Sequence, residues 1–290
     1  MLVTREYSKE HKCKPILSIL RTGGEIYEDN IYDIVNKEGI DEDDPGYIGT
    51  EFEISDGNFA ILPTPYKPNK SLRPNEDDPD GKRDVFYLTG GSGCGKSYQS
   101  SQYAFNYRKQ YPNNNIILIS HQPPTNPNDD KMSLRNLGCI FFDLRNPKVC
   151  ENNFIGANKL TLGELADSLV IFDDYENIRD KAVYKGVFNL ILDILFTGRH
   201  YRCSTMLIRH TRTSYSETTQ ILTETPWICL FPGGITAESI EYFANRYCGI
   251  NKNQMKEILK YCHKNGERYM YCHCNYPIMI VTDHSIRIIT

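Results

Sequence analysis

The chain has 290 residues, 40% apolar and 24% charged, which excludes wholesale disorder and leaves ample material for a core. Its formal charge of −4 divides unevenly: residues 1–84 carry 11 Lys/Arg against 19 Asp/Glu (−8), and residues 85–290 carry the remaining 22 against 18 (+4), which excludes a strongly basic nucleic-acid clamp. No apolar run approaches the roughly 20 residues of a membrane span and no export signal is visible, so a soluble, intracellular protein is expected.

The first 80 residues lack helical periodicity. Short strands are predicted at Lys14–Leu20, Phe52–Ile54 and Asn58–Leu62, between turn signals. Asp41–Gly46 and Glu76–Gly81 read as solvated acidic turns. The first fails as a calcium loop, because Pro45 takes the fifth position and Phe52 stands where the bidentate Glu belongs. Pro63–Pro79 holds five of the 15 prolines and reads as a linker or long surface loop. A β-rich, acidic segment over 1–80 and a second domain over 81–290 are therefore expected.

From Val85 onward, strand and helix alternate. Strands are predicted at Val85–Thr89, Ile116–Ser120, Ser168–Phe172, Ser204–Ile208 and Trp227–Phe231. Helices are predicted over Ser97–Tyr111 and Lys181–Thr197. The second carries Val183, Val187, Phe188, Ile191, Leu192 and Leu195 on one stripe, with Gly198 as its C′ glycine. Continuous apolar strands separated by helices indicate an α/β fold with a mostly parallel sheet covered on both faces.

Ten cysteines are scattered without any C-x-x-C pair, the pattern of free thiols in a reducing compartment. Cys262, His263, Cys272, His273 and Cys274 are near enough in sequence to weigh as zinc ligands. Their spacing matches no finger or ribbon, and a strand over Arg268–Asn275 would turn His273 away from the two flanking cysteines. Packed cysteines in a core strand are expected instead.

Gly90-Gly91-Ser92-Gly93-Cys94-Gly95-Lys96-Ser97 satisfies G-x-x-x-x-G-K-S between a predicted strand and a predicted helix, the context a phosphate-binding loop requires. Its glycines let backbone N–H groups curl around a β-phosphate, and the helix N-terminus adds partial positive charge. Lys96 would reach the β- and γ-phosphates of ATP, and the Ser97 hydroxyl would bind Mg²⁺. The matching acid-ended strand is Ser168–Phe172, which runs into Asp173 and Asp174. Asp173 would hold the Mg²⁺ shell and Asp174 would orient the attacking water. Glu176 is a reserve candidate if the strand continues past Asp174. His210, beyond the Ser204–Ile208 strand, is placed to sense the γ-phosphate. Arg199, at a helix end, is either an arginine finger reaching a neighbouring subunit or a cation facing the last helical carbonyls.

None of the four Asn-Lys pairs has an Asp at the fourth position, which argues against a GTPase. The order of phosphate loop, strand, acid-ended strand and sensor strand suits an additional-strand ATPase. A nucleoside or polynucleotide kinase using Arg209 and Arg212 as a lid, and a non-motor, nucleotide-regulated assembly protein, are the alternatives.

The run Phe86–Ser97, the strand Leu169–Asp174 with Asp180-Lys181, the segment Thr197–His200 and the strand to His210 together resemble the packaging-type P-loop ATPases of large eukaryotic DNA viruses, in the FtsK/HerA division. The resemblance covers about Val85 to Thr290, including Leu230–Gly234 and Tyr276-Pro277. It implies a P-loop NTPase three-layer fold and Mg²⁺-dependent ATP hydrolysis. It also implies a homo-oligomeric ring, usually hexameric, that moves double-stranded DNA into a preformed capsid in the host cytoplasm or virion. Two positions depart from the family: His210 stands where Gln is common, and Asp174 where Glu is common. By this resemblance DNA contacts should fall on a pore loop, and His121–Met132 is the candidate, although it carries only Lys131 as a cation. The densest basic string is Arg199, Arg202, Arg209 and Arg212.

Overall fold

The computed structural model describes the backbone at residues 2–4, 15–21, 50–53 and 59–62, and then residues 83–124, 131–157, 159–210, 215–275, 278–282 and 285–289. Two compact units emerge, Asn75–Pro226 and a second made of Met1–Pro74 with Trp227–Thr290. The first break lies inside the proline-rich stretch. The grouping of the C-terminal 64 residues with the front of the chain has no signature in the sequence.

In the second unit, β1 (Leu2–Thr4), β2 (Pro15–Arg21) and β4 (Phe59–Leu62) form an antiparallel sheet. β3 (Thr50–Glu53) instead pairs with β13 (Ser285–Ile289). From β13 the antiparallel order continues through β12 (Ile278–Thr282) and β11 (Met270–His273) to β10 (Trp227–Leu230). Cys272 is buried while His273 lies on the opposite face, against Trp227 at 4.5 Å between ring centroids, as the strand period requires. Cys262 is buried on a different element, the helix Lys252–Asn265. The contact made by Cys274 is to Cys248, with 3.3 Å between sulfurs.

In the first unit, β5 (Val85–Thr89), β9 (Ser204–Arg209), β8 (Ser168–Asp173), β6 (Asn115–Ser120) and β7 (Ile140–Asp143) lie side by side in that order, all parallel. β5, β8 and β9 are buried along their whole length, which is why they read as unbroken apolar runs. The chain passes from β5 through α1 (Lys96–Gln110) to β6, then through α2 (Lys131–Asn136) to β7, always in one direction across the sheet. It returns from β7 through α3 (Pro147–Cys150) to β8, and through α4 (Lys181–Thr197) to β9. Parallel crossovers are right-handed, so reversing direction puts α1 and α2 on one face and α3 and α4 on the other. The contacts agree: α1 touches α2, whereas α4 touches the π-helical turn Glu151–Ile155 that extends α3. This is a three-layer P-loop NTPase fold, with one additional strand, β9, between the phosphate-loop strand and the acid-ended strand.

The α4 boundaries match the expected ones, but its buried stripe differs. Leu190 and Ile194 join Val183, Val187, Ile191 and Leu195, while Phe188 and Leu192 are half-buried. Phe188 stacks instead on Tyr184, with ring centroids 6.1 Å apart. Asp180 caps the helix through the Ala182 and Val183 amides at 2.8 and 3.1 Å. The expected C′ glycine is not used as one. Gly198 is right-handed (φ −60°) and opens a short 3₁₀ turn, Gly198–Tyr201, and the chain reverses at Arg202 (φ 50°). Space explains Gly198: a Cβ there would fall 2.5 Å from the Arg83 guanidinium. That guanidinium donates to the carbonyls of Ile194 and Leu195, the role considered for Arg199.

Candidate active site

The registers Thr89↔Arg209, Ile208↔Asp173, Asp173↔Ser120 and Ser120↔Asp143 align the C-terminal ends of all five parallel strands. Open α/β sheets bind ligands at this edge, because every loop leaving it converges there. The phosphate loop follows β5, Gln122 follows β6, Asp174 follows β8 and His210 follows β9. Ser92, Gly93, Gly95, Lys96, Ser97, Gln122, Lys131, Asp173, Asp174 and His210 line a pocket of about 210 Å³.

The loop turns into α1 through Gly93 (φ 74°) and Gly95 (φ 107°), a backbone that L side chains rarely adopt. Gly95 makes no side-chain cap, and the first turn of α1 has no acidic residue, so its leading amides are left for an external acceptor. Lys96 is buried, and its ammonium donates to the Gly90 and Gly91 carbonyls at 2.8 and 2.6 Å. Its Nζ also lies 3.9 Å from the Cys94 sulfur.

Asp173 ends β8 and is 3% exposed. Burial pushes its carboxyl above the usual range, the Lys131 ammonium pulls it back, and the Asp174 charge raises it further. Lys131 Nζ sits 2.5 Å from Asp173 Oδ2 and 3.7 Å from an Asp174 oxygen, and Lys131 is 4% exposed. Sequence reading placed Lys131 on a pore loop. Residues 125–130 of that loop lie outside the described residues, but Lys131 itself begins α2 and faces inward. The available signal was topological: the loop after β6 leaves the strand beside β8.

The strand does not continue past Asp173, as the reserve role for Glu176 required. Asp174 is left-handed (φ 54°) and leads into the 3₁₀ turn Tyr175–Asn177. Glu176 is therefore not among the pocket-lining residues, and its Oε1 accepts from the His210 backbone N–H at 2.8 Å. That bond pins the tip of β9. The His210 ring then reaches Asp174, with 3.3 Å between Nε2 and Oδ1.

Arg199 is not brought to this pocket. It is exposed at the opposite end of the sheet, and the length of β9, roughly 17 Å, separates the two edges. The basic string is also dispersed. Arg202 pairs with Asp167 at 2.5 Å. Arg209 is buried over the Tyr175 ring and 3.7 Å from Glu217. Arg212 lies outside the described residues.

The donor set suits a nucleoside triphosphate with a divalent cation. Open amides and an ammonium suit the phosphates, while a serine hydroxyl and two adjacent carboxylates supply hard oxygen ligands.

No protein-family model matches the chain. A curated protein of Sputnik virophage, described as uncharacterized protein V3, is 27% identical over 241 residues, which cover 82% of this chain and 84% of that one. Two solved structures are similar at low TM-scores, both of the genome packaging NTPase B204 from Sulfolobus turreted icosahedral virus 2. The sulfate complex gives 13% identity and TM-score 0.39, covering 69% of this chain and 95% of that one. The ATP-gammaS complex gives 12% and 0.35, covering 73% and 98%. Among the described residues, no helix is long and apolar enough to cross a membrane. The chain is thus similar to a virophage protein, on a P-loop NTPase fold that its own strand order defines.

Proposed function

We propose that this protein is a Mg²⁺-dependent ATP hydrolase that moves double-stranded DNA into a viral capsid. The observation that carries the hydrolase reading is the convergence of Lys96, Ser97, Asp173, Asp174 and His210 on one pocket at the C-terminal edge of the sheet. Packaging is supported by the sequence resemblance, and a viral setting by the virophage relative.

Under this reading the amides from Gly91 to Lys96 hold the β-phosphate, and Lys96 leaves its loop carbonyls to neutralise the γ-phosphate. Ser97 and Asp173 would hold Mg²⁺, which would supply charge neutralisation at the phosphoryl oxygens when bound. Asp174 orients the attacking water and accepts its proton. His210, anchored through its amide by Glu176, reports the state of the terminal phosphate to β9. Capsid or other virion proteins are the expected docking partners.

Phosphate release with and without duplex DNA tests the function. DNA-stimulated release is expected. Release that needs a hydroxyl acceptor would instead make the protein a phosphotransferase, and tight nucleotide binding without turnover would make it a regulated assembly protein.

Arg199 acts in trans under this reading, since its own pocket is at the far edge of the sheet. Arg199→Ala and Lys96→Ala chains should each be inactive alone and regain part of the activity when mixed. An intact site beside a Lys96→Ala chain would then meet that neighbour's Arg199, and failure to recover would argue against a trans role for Arg199.

A further inference from the structure

We propose that Lys131 is a second nucleotide-directed cation: it neutralises Asp173 and Asp174 in the metal-free protein, yields them to a divalent cation, and turns its ammonium to the terminal phosphate. This rests on the triphosphate reading of the pocket and adds to it a residue that the phosphate-loop and acid motifs do not contain.

Three observations carry it. Lys131 lines the same pocket as Lys96 and Ser97, together with both carboxylates. It contacts both members of the acid pair, at 2.5 and 3.7 Å, and all three side chains are nearly removed from solvent. A buried carboxylate pair is strongly disfavoured unless a cation or a proton accompanies it, and Lys131 is a cation that touches both Asp173 and Asp174. A divalent ion bound by Asp173 competes for the same oxygen. Displaced from it, the ammonium remains in a largely buried pocket, where the densest remaining negative charge is the triphosphate. Lys131 is also the first residue of α2, so the exchange links occupancy of the pocket to the start of that helix.

Mn²⁺ binding to the full chain without nucleotide, followed by loss of the free Mn²⁺ paramagnetic resonance signal, tests the competition. Lys131→Met should bind Mn²⁺ at least about tenfold tighter than the unaltered chain, because the competing charge is gone. Unchanged or weaker Mn²⁺ binding would overturn the proposal. The unaltered chain provides a second measurement that does not depend on the variant folding. Mn²⁺ alone should raise acetylation of Lys131 by acetic anhydride severalfold, read by peptide mass, and ATPγS should reverse the increase. Labelling indifferent to Mn²⁺ would refute the displacement. Neither measurement involves turnover, so a protein that binds Mn²⁺ as described but releases no phosphate would fail the hydrolase reading alone.

Discussion

Lys96→Ala is expected to lower phosphate release from ATP by about 10²–10³-fold, the usual consequence of deleting one preorganised group aimed at developing charge. The fold should survive, because the Lys96 ammonium bonds only to the rim of its own loop, at Gly90 and Gly91. Lys96→Arg should fail almost as badly, since a planar guanidinium does not replace a compact ammonium in a buried loop. Asp173→Asn should also abolish metal-dependent turnover, but through a different signature. Lys96→Ala weakens binding of the nucleotide itself, whereas Asp173→Asn weakens its dependence on Mg²⁺. Phosphate release together with nucleotide affinity at several Mg²⁺ concentrations separates the two. A Lys96→Ala protein that hydrolyses ATP at the unaltered rate would leave the proposed chemistry without its central residue.

Gly186→Ala should be a strongly damaging single-methyl change in the α/β unit. A Cβ at Gly186 would lie 2.1 Å from the Phe154 carbonyl oxygen and 2.9 Å from its carbonyl carbon. These are backbone atoms of the π-helical turn Glu151–Ile155, which cannot swing away as a side-chain tip can. Alanine normally favours a helix over glycine by about 1 kcal/mol, so propensity alone predicts a gain. Overpacking of this kind costs about 1–3 kcal/mol, and forcing the turn off α4 would remove burial as well. A net loss and a Tm lower by several degrees are expected in thermal unfolding. Gly233→Ala is the matched control, because nothing lies within 4 Å of a Cβ there. A Gly186→Ala chain at least as stable as the original would mean that α4 does not need this close approach.

Both predictions concern features with opposite visibility in the sequence. The glycine-rich loop was legible as a strand-to-helix turn because it is local: eight consecutive residues form the turn, present the amides and open the helix. The strands beside it were legible because full burial on both faces demands unbroken apolar runs, and Val85–Thr89 and Ile116–Ser120 were found to within a residue at each end. Asp173 could be picked out because a carboxylate at the tip of such a strand has few structural reasons to be there.

Gly186 had no such signal, since its constraint comes from a carbonyl 32 residues earlier in the chain. The same holds for Arg83, which caps α4 from 111 residues before Ile194. The reserve role of Glu176 depended on the strand continuing, but a left-handed Asp174 turns the chain and sends that carboxylate to the His210 amide.

Residue chemistry and strand burial by themselves determined the fold class, the glycine-rich turn into α1 and the acid-ended strand, because each is encoded in neighbouring positions. Only the tertiary structure decided the rest. Lys131, 42 residues before Asp173, becomes its ion-pair partner because β6 lies beside β8 and their loops leave the same edge. Arg209, part of a basic run in sequence, is buried over Tyr175, while Arg199 ten residues before it stays in solvent. Strand order sets which loops meet, and strand direction sets which end of the sheet a charge reaches. Neither quantity is written in the spacing of residues along the chain.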